Sequence, residues 1–158
     1  MTAAFALSAN HVGLTVSDLG RSIAFYRDLL GMKVSSQGTF EGKQYEAILG
    51  LQGASGKVAF LKNGNMQIEL FEFYSPAPAL GITNRPVCNH GLTHICIEVS
   101  DIDGEYERLK SAGVLFNSSP LKFFGFAKAT YGRDPDGNVF ELLEMLETDG
   151  ADSPNKRS

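Results

Sequence analysis

His11-Val12-Gly13-Leu14-Thr15-Val16-Ser17-Asp18-Leu19 and His94-Ile95-Cys96-Ile97-Glu98-Val99-Ser100-Asp101-Ile102 are one pattern written twice, 83 residues apart. His, Val, Ser and Asp coincide, and three further positions exchange one aliphatic residue for another. Both stretches alternate polar and apolar residues, the period of a strand with one buried face. Val12, Leu14 and Val16 point one way, and His11, Gly13 and Thr15 the other. In the second copy Ile95, Ile97 and Val99 take the buried side, with His94, Cys96 and Glu98 opposite. Each strand then meets a Ser-Asp pair suited to cap a helix. Leu19, Ile23, Tyr26 and Leu30 recur at spacings of 4, 3 and 4, and Ile102, Tyr106 and Leu109 at 4 and 3, an apolar helical stripe in each copy. Gly31 and Gly113 stand where those helices would stop.

Working outward, segments near 32–36, 44–51, 57–62 and 65–74 read as strands of a first half. Segments near 114–116, 126–131 and 138–146 read as strands of a second, with Asn63-Gly64 and Asp136-Gly137 as turns. The closing strands also match, since Glu69-Leu70-Phe71-Glu72 lies over Glu141-Leu142-Leu143-Glu144. The expected plan is α+β, a βαβββ module over 10–74 and another over 91–146. Ser75 to His90, with three prolines, reads as the linker, and 147–158 as a polar, flexible tail.

Composition narrows the function. The chain has 158 residues, 43% hydrophobic and 20% charged, and a net charge of −4. That is enough to bury a core without disulfides or structural zinc, and too acidic overall to favour nucleic acid or an anionic membrane as partner. Two cysteines, Cys88 and Cys96, lack zinc-site spacing and read as reduced thiols. Residues 1–10 lack the basic start of a secretory signal, and no apolar run approaches the roughly 18 residues of a membrane helix. A soluble, cytoplasmic protein is expected.

Strand parity then selects four polar residues. With the apolar side of each outer strand packed on the helices, His11, Glu69, His94 and Glu141 fall on the opposite face. A lone His or Glu in a strand is usually solvated or hydrogen-bonded. Two imidazoles and two carboxylates at matched positions of a repeat instead make a donor set for a divalent metal ion: Zn²⁺, Ni²⁺, Co²⁺, Mn²⁺ or Fe²⁺. Four protein ligands would leave an octahedral ion two open positions, as catalysis requires. His90 shares the parity of His94 but has no repeat partner.

The run from His11 to Met32, with Gly91-Leu-Thr-His-Ile-Cys-Ile-Glu-Val99 and Asp134-Pro-Asp-Gly-Asn-Val-Phe-Glu-Leu-Leu-Glu144, resembles the vicinal oxygen chelate superfamily of glyoxalases, bleomycin-resistance proteins and dioxygenases. The resemblance spans about residues 10 to 146. It implies a single glyoxalase-like domain over 1–158, two βαβββ modules forming a curled mixed-sheet cup with helices outside. Its metal positions fall on His11, Glu69, His94 and Glu141. It also implies a homodimer and a small-molecule substrate with adjacent oxygens.

The resulting expectation is a metal-dependent lyase or isomerase of the glyoxalase/epimerase type. It would remove a proton beside a chelated carbonyl, with Glu141 or Glu69 as catalytic base. Two alternatives stand beside it: a small non-haem Fe(II) dioxygenase at the same site, and a ligand-sequestering protein of the drug-resistance type. Phe123, Phe124, Phe126 and Tyr131 are candidate pocket residues, and Arg133 and Lys128 could meet an anionic group. Cys96 shares the face of His94.

Overall fold

A computed structural model of the chain describes residues 8–79 and 85–146. The chain divides into two compact units, residues 1–81 and 82–158. The expected tail, the start of the chain and the centre of the expected linker lie outside the described residues. The architecture is mixed α+β, with one sheet in each unit.

The first unit runs β1 (Val12–Thr15), α1 (Leu19–Ala24), a π-helical turn (Phe25–Leu29), β2 (Lys33–Glu41), α2 (Lys43–Leu49), β3 (Ser55–Asn63) and β4 (Met66–Ser75). Its strand order is β1-β4-β3-β2, with β1 parallel to β4 and the remaining pairs antiparallel. The apolar stripe behaves as its spacing demands, for Leu19, Ile23, Tyr26 and Leu30 are all buried. Asp18 Oδ1 accepts from the Arg21 N–H at 2.9 Å, the cap that the Ser-Asp pair predicts. The last turn loosens to π geometry, with the Leu30 N–H donating five residues back to the Phe25 carbonyl at 3.3 Å. Such a turn swallows one extra residue and keeps Leu30 on the buried side.

The second unit repeats the plan: β5 (Ile95–Glu98), α3 (Ile102–Ser111), β6 (Leu115–Phe116), β7 (Leu121–Phe123), β8 (Ala127–Arg133) and β9 (Val139–Met145). Its order is β5-β9-β8-β6, β7 pairs with β8, and β5 runs parallel to β9. Asp101 Oδ1 caps α3 by accepting from Gly104 N–H at 3.0 Å. Phe140 and Leu142 on β9, like Ile68 and Leu70 on β4, are fully buried beneath the helices. Each such side chain contributes roughly 1.5–3 kcal/mol by leaving water.

The two glutamates of each Glu-Leu-x-Glu run serve opposite faces, because three residues along a strand reverse the side. Glu72 accepts the Leu19 N–H at 2.8 Å, and Glu144 accepts the Ile102 N–H at 3.2 Å. Each ties the last strand of its unit to the first turn of the helix, where free N–H groups and the helix dipole favour a carboxylate. Glu69 and Glu141 are thereby left on the other face.

One expected strand is wrong. Residues 43–49 form the helix α2, not a strand, and α2 buries none of its residues. Lys43, Gln44, Glu46, Ala47 and Leu49 favour helix. Gly50, at φ 66°, ends it in the left-handed conformation open to glycine. The short edge strand β7 was not expected at all. Among the described residues no helix is long and apolar enough to cross a membrane.

Candidate metal centre

Register explains why a histidine and a glutamate meet in each unit. Along the parallel pair β1/β4, Gly13 lies opposite Glu69, and along β5/β9, Cys96 lies opposite Glu141. His11 and His94 stand two residues before Gly13 and Cys96, on the same face and one diagonal step from the carboxylate. The side chains close that step identically. His11 Nε2 is 3.0 Å from Glu69 Oε2, and His94 Nε2 is 3.0 Å from Glu141 Oε2.

The far nitrogen of each ring is also occupied alike, by the side chain of the preceding residue. His11 Nδ1 donates to Asn10 Oδ1 at 2.8 Å, and His94 Nδ1 pairs with Thr93 Oγ1 at 2.9 Å. With a proton on Nε2 each 3.0 Å contact is a hydrogen bond to the carboxylate, and without one the same nitrogen can hold a cation beside it. An imidazole nitrogen and a carboxylate oxygen suit a borderline divalent ion, and both pairs offer that set. Among the described residues no third His, Cys, Asp or Glu joins either pair in a group that could hold a metal.

The surroundings of the pairs differ. Phe60 on β3 lies opposite Glu69, its ring 5.6 Å from His11 and edge-on. Tyr131 on β8 lies opposite Glu141, its ring 4.8 Å from His94. Gly13 offers Glu69 no side chain, whereas Cys96 sets a thiol beside Glu141. Burial, and then the Glu141 carboxylate, pushes the Cys96 thiol up to about 12, so it stays protonated and adds no charge near neutral pH. Burial first, and then Glu141 and Cys96, also raises the Tyr131 phenol above its ordinary value.

The other candidates are scattered. Phe123, Phe124 and Phe126 cluster at the tip of the β7–β8 hairpin, rings 5.3 and 6.1 Å apart in sequence order. Of the named aromatics only Tyr131 stands at a His–Glu pair. Arg133 directs its guanidinium to backbone, Nη1 donating to Gly137 O at 2.9 Å and Nη2 to Arg85 O at 3.2 Å. Lys128 is ion-paired with Asp103 of α3, on the helix side of the sheet. His90 is exposed in the turn before β5. An open cleft of about 1090 Å³ lies at the start of α3, among Asp101, Glu105, Arg108 and Glu144. Four of its charged residues are engaged, Arg108 with Glu105 in an ion pair and Asp101 and Glu144 in capping α3.

The family model of the Glyoxalase/Bleomycin resistance protein/Dioxygenase superfamily matches residues 8–142, and the chain belongs to that superfamily. The uncharacterised protein YaeR of Escherichia coli is 30% identical over 136 residues, covering 86% of this chain and 95% of that one. The lactoylglutathione lyase of Haemophilus influenzae is 30% identical over 145 residues, 87% of this chain and 93% of its own. Human mitochondrial methylmalonyl-CoA epimerase is 31% identical over 138 residues, 84% and 71%. A glyoxalase family protein from Bacillus cereus superposes with a TM-score of 0.86 at 23% identity, covering 93% of this chain and 99% of that one, which establishes the fold.

Proposed function

We propose that this protein is a divalent-metal-dependent enzyme of the glyoxalase/epimerase type, a lyase or isomerase that abstracts a proton beside a chelated carbonyl. The observation that carries the reading is the twofold His–Glu pair: the same atoms, at the same 3.0 Å, from the same register in both units. The lyase and epimerase among the relatives at 30–31% identity support the reaction type.

In this reading His11, Glu69, His94 and Glu141 supply the ligands, and the two carboxylates offset the charge of a dication. A bound divalent cation supplies Lewis acidity toward a substrate with adjacent oxygens, making the neighbouring C–H more acidic. The protein supplies the base. Glu141 takes the proton onto a carboxylate oxygen and returns it to carbon, and a positioned base contributes about 10²–10⁴-fold to such a step. The neutral Cys96 thiol flanks that carboxylate without competing for the proton.

The test is elemental analysis of protein purified without chelator. It is followed by turnover assays, with the ion found, on hemithioacetals, 2-methyl-branched acyl-CoAs and keto-sugars. Stoichiometric metal and turnover that falls at least about 100-fold in Glu141→Gln are the expected results. Full turnover in that variant removes Glu141 as base, and metal-free protein that turns over substrate removes the whole reading.

A further inference from the structure

His11 and His94 both stand just ahead of a strand. β1 opens at Val12 and β5 at Ile95, so Asn10-His11 and Thr93-His94 lie where the chain is not yet paired. Within a regular strand neighbouring side chains point to opposite faces, and a residue does not reach the ring that follows it. Ahead of the strand that constraint is lifted. In both units the side chain of the preceding residue turns back to Nδ1. Each ring is then held on three sides: by a glutamate at Nε2, by the ring of Phe60 or Tyr131, and by a short polar side chain at Nδ1.

Asn10 and Thr93 occupy the same position of the repeat, but their chemistry differs. The Asn10 side-chain oxygen only accepts, so its 2.8 Å contact requires a proton on His11 Nδ1. The Thr93 hydroxyl both donates and accepts, so its 2.9 Å contact suits either state of His94 Nδ1. With an N–H at Nε2 turned to Glu141, the hydroxyl donates to a bare Nδ1. With a cation at Nε2, the ring proton sits on Nδ1 and the hydroxyl rotates to accept it. His94 can thus exchange one neutral form for the other with a partner at Nδ1 in both. His11 keeps its partner only while Nδ1 holds the proton.

We infer that Asn10 and Thr93 are positioning residues of the candidate metal centre, each setting the ring of the histidine after it, and that they set the two rings unequally. Asn10 fixes His11 with its proton on Nδ1 and Nε2 as the ligand atom. Thr93 lets His94 move its proton between the two nitrogens as a cation comes and goes. The inference rests on the proposed role of the two histidines as ligands and adds the residues that prepare them. A partner on the far nitrogen of a ligating histidine is worth about 10–100-fold in metal affinity. Asn10 and Thr93 are both exposed, so replacing either leaves the core untouched.

The test reads the rings directly, by NMR of protein labelled with ¹⁵N in histidine, metal-free and loaded with Zn²⁺ near neutral pH. In wild type His11 should carry a proton on Nδ1 in both states, and His94 should carry it on Nε2 without metal and on Nδ1 with it. Asn10→Ala should release metal-free His11 to the form with a bare Nδ1, while Asn10→Asp, which keeps an acceptor, should not. Thr93→Asn should hold the His94 proton on Nδ1 even without metal, while Thr93→Ser should behave as wild type. Zn²⁺ affinity should fall about 10–100-fold in Asn10→Ala and Thr93→Val and recover in Asn10→Asp and Thr93→Ser, at an unchanged melting temperature. A bare Nδ1 on wild-type His11, or ring states that none of these variants moves, overturns the inference. An affinity loss that follows a fall in melting temperature with the rings unmoved also overturns it, since that marks a structural role alone. The metal reading is scored separately, by Zn²⁺ binding to wild type. Rings that respond to the variants in protein that binds no Zn²⁺ support the control of the rings and remove the ligand reading, and Zn²⁺ binding with unresponsive rings does the reverse.

Discussion

Glu69 and Glu72 sit three residues apart on β4, and replacing each in turn should produce opposite results. Glu72 Oε2 accepts the Leu19 N–H at 2.8 Å in a part-buried position at the start of α1. A hydrogen bond to an ionised partner is worth about 1.5–3 kcal/mol net, and a carboxylate at a helix N-terminus adds about 0.3–1 kcal/mol. Glu72→Ala should therefore cost about 2–3 kcal/mol. In a unit of some 80 residues each kcal/mol shifts the melting temperature by about 4–8 °C, so the fall should be on the order of 10 °C or more. Glu72→Gln keeps an acceptor and should lose about half as much. The matching contact of Glu144 is longer, 3.2 Å to Ile102 N, so Glu144→Ala should cost less than Glu72→Ala.

Glu69→Gln leaves an oxygen facing His11 and touches no helix. Its stability should stay within about 0.5 kcal/mol of wild type, the usual range of a substitution away from the core. Metal affinity should reverse the order. Losing a partner that only orients a ligand costs about 10–100-fold, so losing the ligand itself in Glu69→Gln should cost at least that, while Glu72→Ala binds metal normally below its melting point. Calorimetric melting and metal titration of the same samples decide it. Wild-type metal affinity in Glu69→Gln, or a metal defect in a Glu72 variant that melts normally, would refute the assignment of the two faces.

Cys88 is exposed and should react at once with a thiol reagent at pH 7, whereas Cys96, held up near 12 by burial and Glu141, should stay unlabelled. Its labelling rate should climb about tenfold per pH unit, read by mass spectrometry of the two peptides. The folded thiol titrates above its ordinary value of 9.0. Its contribution to stability is therefore complete below pH 9 and lost as the pH rises toward 12, seen as a falling melting temperature. Gly56→Ala should destabilise more than Gly132→Ala. The new Cβ would lie 2.1 Å from the fixed Glu72 carbonyl in the first, but 2.5 Å from a movable Phe140 ring atom in the second. Costs of about 3 kcal/mol or more and about 1–3 kcal/mol are expected in denaturant melts. Asp134 is buried and accepts from Asp136 N, Asn138 N and Asn138 Nδ2. Asp134→Ala should cost about 2–4 kcal/mol by orphaning those donors, and Asp134→Asn should cost less.

The parts of this molecule that could be read from sequence are those with a local period. Alternation in His11–Val16 and His94–Val99 gave the face of each histidine, and the 4-3-4 stripe gave α1 before any contact was known. The segment 43–49 was misread because Tyr45, Ile48 and Leu49 fit a partly apolar strand as easily as a helix. The residue that decides it, Gly50, marks a helix end only once the helix is suspected. The second glutamate of each Glu-Leu-x-Glu run was visible as a match and not as a cap, since its partner N–H lies 53 residues away in one unit and 42 in the other. Distances of that kind are set by strand pairing, which no local pattern encodes.

Duplication also bears on which glutamate acts as base. Two copies of one unit begin alike, and each later substitution on the ligand face alters the environment of one carboxylate without the other. Around Glu69 the neighbours are Gly13 and Phe60, with no hydrogen-bonding side chain between them. Around Glu141 they are Cys96 and Tyr131, a thiol and a phenol that both stay protonated near neutral pH. A carboxylate that only holds a cation gains nothing from extra proton-bearing neighbours. One that must accept a proton from a substrate and return it is helped by neutral donors that adjust as its charge changes. On that physical ground the proposed reading assigns Glu69 to the fixed ligand and Glu141 to the group that would meet the substrate.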